Sequence, residues 1–115
     1  MINNKFEIIS EIGKGRSRVF LCNDLDLGNK EVAIKFLSPN VNEAEFSLFR
    51  DEFFILQQLE HPGIIRSYEI GTAVKIDPGD PIESGSPYIV LEYFNSVELS
   101  KYEFLSDETK LKEIL

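Results

Sequence analysis

Cysteine occurs once in these 115 residues, histidine once, and 12 lysines and arginines face 20 acids. The lone Cys22 cannot close an internal disulfide, and Met1-Ile2-Asn3-Asn4-Lys5 has nothing leader-like, so a reducing, cytoplasmic setting is expected. A formal charge of −8 disfavours nucleic acid or an anionic membrane as the main partner, because both are polyanions. No apolar run reaches membrane-spanning length, and no repeat or low-complexity tract occurs. No side-chain cluster has metal-ligand spacing, so no metal site is expected from this chain. His61 precedes Pro62, a setting that ties a loop in place more readily than it serves acid–base chemistry.

What is present suits one ordinary folded domain, with 43% apolar and 28% charged residues. The run 6–12 is β-branched and partly alternating, Gly13-Lys14-Gly15 breaks it, and 19–22 reads as the return strand. Asp26-Leu27-Gly28-Asn29 supplies a turn before a third strand over 30–37. From about 43 to 60 the period changes: Phe46, Phe49, Phe53 and Leu56 recur at three- and four-residue spacing on one helical face. Asn42 or Asn40 caps its start, and His61-Pro62-Gly63 ends it. Strands are expected over 64–71 and 88–93. The joining stretch 72–87, with three prolines and two glycines, reads as a long mobile connection or an extension of both strands. Short helical segments are expected over 97–104 and from Ser106 onward.

Three features carry chemistry. The Gly13-Lys14-Gly15 turn, flanked by Ile12 and Val19, lies between two strands, which excludes a dinucleotide fingerprint, where the glycines open a helix. Such a hairpin is a plain tight turn, or a lid whose backbone N–H groups lie over phosphates. In Val32-Ala33-Ile34-Lys35 alternation puts Val32 and Ile34 on one face and Ala33 and Lys35 on the other. Lys35 either snorkels to solvent or reaches an anion past the small Ala33. Glu52 shares a helix face with Leu56 and Leu59 and should point inward, unlike Asp51 and Glu45.

Taken in order, the glycine turn, Glu31-Val32-Ala33-Ile34-Lys35-Phe36-Leu37, Glu52 nine residues before His61-Pro62, and Pro87-Tyr88-Ile89-Val90-Leu91-Glu92-Tyr93-Phe94 resemble the N-terminal lobe of bacterial-type serine/threonine protein kinases. The resemblance runs from Phe6 to about Leu115. It implies an α+β fold, a five-stranded antiparallel sheet with one large helix at about 43–60 and short C-terminal helical segments. Residues 1–115 would form the ATP-binding lobe, with 95–115 leaving the hinge and starting the large-lobe helices.

The resemblance also implies ATP as ligand, which a net negative charge does not exclude. Ile12, Gly13, Lys14, Gly15 and Val19 would cover it, Ala33 would flank adenine and Lys35 would reach the phosphates, held by Glu52. Leu91 would gate the pocket, while the Glu92 carbonyl and the Phe94 amide would meet the base edge. Neither His-Arg-Asp nor Asp-Phe-Gly occurs in the chain. The catalytic base, the groups that hold Mg2+ and the protein-substrate surface would belong to a large lobe of a complete parent. The chain alone is expected to bind ATP weakly, to be inactive, and to self-associate through the bared lobe interface.

Two departures from the family pattern stand out. Arg16-Ser17-Arg18 replaces the third glycine in a shortened loop. Ser67 falls where an apolar residue would stack on the helix, which is expected to weaken that packing unless Tyr68 or a register shift compensates. These departures favour a second reading, a pseudokinase-type interaction module without productive ATP chemistry. A third is an unrelated small α+β binding domain in which Lys35 and Glu52 are structural.

Overall fold

A computed structural model describes residues 1–15, 17–58 and 66–93. Five strands, β1 (Phe6–Lys14), β2 (Arg18–Asp24), β3 (Lys30–Phe36), β4 (Ser67–Ala73) and β5 (Ser86–Glu92), form one antiparallel sheet in the order β1-β2-β3-β5-β4. One helix, α1 (Glu43–Gln57), follows β3. The architecture is the α+β one read from the sequence. The expected helical segments beyond residue 94 lie outside the described residues.

Alternation along β3 divides the core in two. Val32, Ile34 and Phe36 join Phe6, Phe20, Tyr88 and Val90 on the outer face of the sheet. Ala33 joins Val19, Ile89 and Leu91 on the inner face, under Phe49, Phe53 and Leu56 of α1. Of the two caps proposed for α1, Asn42 serves: its Oδ1 accepts from the Glu45 amide at 2.8 Å. The helix ends at Gln57 rather than Glu60, with Gln58 as cap.

The stretch between β4 and β5 is not a loose connection. β4 runs on to Ala73 and β5 starts at Ser86, so the strands take up both ends of it. The N-terminal residues fasten what remains. Ile2 is buried and bridges both Phe6 and Ile76. Asn3 Oδ1 accepts from the Val74 and Lys75 amides at 2.9 and 3.0 Å, and its Nδ2 donates to the Thr72 carbonyl at 3.0 Å. Asn3 adopts φ +52°, a left-handed geometry that asparagine tolerates better than most residues. The Met1 ammonium bonds Asp77 and Asp80 at 3.0 and 2.8 Å, and Ile82 is buried beneath the segment. The sequence shows polar, proline-rich residues here but not the N-terminal strap that holds them.

Cys22 is a buried outer-face residue, as its apolar neighbours suggested; burial pushes its thiol up to about 12. Among the described residues no helix is long and apolar enough to cross a membrane, and no group of His, Cys, Asp and Glu is arranged to hold a metal ion.

Candidate functional site

Strand register assembles the candidate residues into two adjacent rows across the sheet. Gly13 pairs with Val19, Val19 with Lys35, Lys35 with Ile89, and Ile89 with Ile70. In the neighbouring row Leu21 pairs with Ala33, Ala33 with Leu91, and Leu91 with Ser67. Neighbouring strands lie about 5 Å apart, so the glycine turn and Lys35, two strands removed, are about 10 Å apart. Gly13 of the turn, the strand lysine, and Ile89 and Leu91 of β5 therefore belong to one face.

Lys35 projects from that face toward α1. Its Nζ donates to both Glu52 carboxylate oxygens, each at 3.0 Å. The side chains are 12% and 27% exposed, so the pair is sheltered yet open on one side. Glu52 reaches Lys35 because it lies between Phe49, Phe53 and Leu56, the three buried positions of α1. A lysine held by both oxygens of one carboxylate is extended and oriented.

Around the turn, neither φ nor crowding within the chain demands glycine. A side chain at Gly15 would meet nothing within 4 Å, and one at Gly13 would only touch Val19. Bulges between Ile8 and Ser10 and between Glu11 and Gly13 leave Ile9 and Ile12 without register partners. Ile12 is 40% exposed beside the turn as a result. Lys14 is largely exposed, 3.9 Å from Glu11. Arg18 is engaged by its own chain. Its guanidinium donates to Glu11 at 2.8 and 3.1 Å and to the Pro81 carbonyl at 2.8 Å, and it lies over the Phe20 ring. Arg18 holds the Glu11 carboxyl below its ordinary range. Arg16, which the sequence reading paired with it, lies outside the described residues.

Val19, Ala33 and Leu91 are buried, giving the inner face an apolar floor beside Phe49, Phe53 and Leu56. Glu92 ends β5, its amide donating to the Arg66 carbonyl at 2.8 Å, and its Oε2 accepts from the Tyr68 hydroxyl at 3.4 Å. Its Oε1 is buried with no hydrogen-bond partner among the described residues. Phe94, His61 and Leu59 lie outside those residues.

Ser67 departs from expectation in an informative way. β4 bulges between Ser67 and Glu69, the register shift that the sequence reading allowed for. Tyr68 does not compensate on the inner face; it packs against the outer core. Ser67 is turned inward instead, and its Oγ donates to the Phe53 carbonyl of α1 at 2.6 Å. A polar contact replaces the apolar one. Sequence alignment identifies the serine but not its partner, because the acceptor is a backbone atom.

The family described as protein tyrosine and serine/threonine kinase matches residues 6–113. The chain is 31% identical over 102 residues to the probable serine/threonine-protein kinase PknB of Lactococcus lactis subsp. lactis (strain IL1403), covering 86% of this chain and 15% of that protein. It is 34% identical over 104 residues to the serine/threonine-protein kinase PrkC of Bacillus subtilis (strain 168), covering 88% of this chain and 14% of that protein. The chain thus spans about one seventh of the length of these relatives.

Proposed function

Since this chain belongs to the protein tyrosine and serine/threonine kinase family, we propose that it is an ATP-binding N-terminal lobe. In a complete serine/threonine kinase it would orient the phosphates of ATP for transfer to a protein hydroxyl, in the cytoplasm. The observation that carries this reading is the Lys35–Glu52 pair, two bonds of 3.0 Å on the face that also holds the glycine turn.

The residues present fit the ligand at both ends. Lys35 offers a fixed positive charge, Gly13 and Gly15 leave the backbone accessible, and Ala33 and Leu91 offer an apolar wall. ATP with Mg2+ supplies the transferable phosphoryl group and its charge neutralisation. Lys35 draws in phosphate oxygens, and Glu52 keeps the ammonium from relaxing back along the sheet. The chain has no aspartate in a His-Arg-Asp setting to accept a hydroxyl proton and no Asp-Phe-Gly to hold metal. By itself it binds without transferring. Affinity is weak, because half of the pocket is missing.

Titration of this chain with a fluorescent ATP analogue and Mg2+, wild type against Lys35→Ala, tests the reading. The loss of a charge-assisted bond corresponds to at least about ten-fold weaker binding. Equal affinity of the two proteins would sink it, and phosphorylation of a generic substrate by the purified chain would overturn the claim of inactivity.

A further inference from the structure

We propose that Ser67 is a positioning residue: its hydroxyl, bonded to the Phe53 carbonyl, sets the roll and height of α1 so that Glu52 meets Lys35. The inference rests on reading that pair as the phosphate-orienting element.

The acceptor is the carbonyl of the residue directly after Glu52, so fixing one fixes the other. Ser67 is 4% exposed, and the bond is 2.6 Å long. Water cannot easily replace either partner at such a depth, and the two groups stay together or go unsatisfied. The serine is aimed by the β4 bulge and is registered against Leu91, in the row that also contains Ala33.

Other contacts do not do the same job. Phe49, Phe53 and Leu56 seat α1 on the sheet through apolar contact, which is non-directional and tolerates sliding. Away from the sheet the helix is open, with Leu48, Phe54 and Ile55 exposed by 69%, 49% and 63%. A hydrogen bond is directional, so a helix that rolls or slips by one turn loses it. Apolar packing fixes how close α1 sits, and Ser67 fixes which residue faces Lys35. An ordinary apolar residue at 67 would give adhesion without that registration.

Ser67→Thr keeps the hydroxyl, whereas Ser67→Val has the same shape without it and Ser67→Ala has neither. Amide hydrogen exchange without nucleotide gives the first readout. Val and Ala variants should exchange about ten-fold faster over 50–57, the worth of about one net buried hydrogen bond, with Thr like wild type and β2 and β3 unchanged. Magnesium-ATP titration gives the second: affinity should fall about five- to ten-fold for Val and Ala only. In a Glu52→Gln background the Ser67→Val change should add little in either readout, because both act on one pair.

Unchanged exchange in all variants overturns the proposal, as does rescue by Val, which would assign the effect to apolar contact. Full additivity with Glu52→Gln also overturns it, leaving Ser67 merely structural. If the wild type binds no nucleotide, the functional reading fails, while the exchange cycle with Glu52→Gln still decides for or against Ser67.

Discussion

The two faces of the sheet are built from the same five strands and serve opposite ends. The outer face is mainly hydrocarbon and aromatic, its polar atoms confined to positions such as the Cys22 thiol and the Tyr88 hydroxyl, which donates to Glu69 at 2.8 Å. Phe6 meets Tyr88 edge-on at 5.6 Å, Phe20 meets Phe36 at 5.9 Å, and the N-terminal strap with the β4–β5 connection closes over them. The inner face has a smaller apolar patch under α1 into which Lys35, Glu52 and Ser67 intrude. Successive residues of β3 supply both: Ile34 packs outward and Lys35 reaches inward. The larger apolar core is concentrated on one side of the strand and the Lys35–Glu52 pair lies on the other. A charged side chain can therefore sit one residue from the centre of the core without breaching it.

That division can be broken experimentally. Phe6→Ala should produce the largest change, a loss of about 3–5 kcal/mol in urea unfolding, because it removes a fully buried ring from the outer core. Nucleotide affinity of the molecules that remain folded should stay within about two-fold. A proportionate fall in affinity would show that the faces are not independent.

Asn3→Gly keeps the left-handed backbone available while deleting the bonds to Val74, Lys75 and Thr72. A cost of about 1–3 kcal/mol is expected, read as an earlier urea midpoint, with exchange rising only over residues 72–85. Faster exchange in α1 would contradict the separation.

The smallest effect concerns pH. Hydrogen bonds that the Met1 ammonium donates to Asp80 and, less strongly, to Asp77 raise it above its ordinary value of 8.0. Its stabilising contribution is complete below that value and is lost as pH rises through the higher folded one. After solvent screening it amounts to at most about a few tenths of a kcal/mol. Urea midpoints at pH 7 and above pH 9 should thus differ slightly for the wild type. An Asp77→Asn, Asp80→Asn double variant should narrow that difference without abolishing it, because the buried Cys22 thiol also disfavours the folded state above pH 9.

Legibility followed the physical origin of each feature. Strand and helix identities were readable because alternation and a three-to-four spacing are periodic signals, and α1 carries Phe49, Phe53 and Leu56 where the period demands. Lys35 and Glu52 were readable because both lie on those same periodic faces. What escaped was aperiodic. The bulges at Ile9 and Ile12 insert single residues that no alternation marks, and the shift beside Ser67 was only one of two alternatives the sequence left open. Nothing local marks the partners of Arg18, and only the fold brings Glu11 and Pro81 to it. The strap at Ile2 and Asn3 pairs positions about seventy apart in the chain, and local composition carries no trace of that closure.

Cys22 has a use that follows from its place in the outer core. Its sulfur is buried there, and burial holds it protonated at neutral pH. An alkylating reagent, which attacks the thiolate, finds almost none until the sheet parts. The unaltered chain thus carries its own breathing gauge: the rate at which iodoacetamide marks this single sulfur counts openings of the aromatic side, and a ligand gripping only the lysine side should leave that count nearly unmoved.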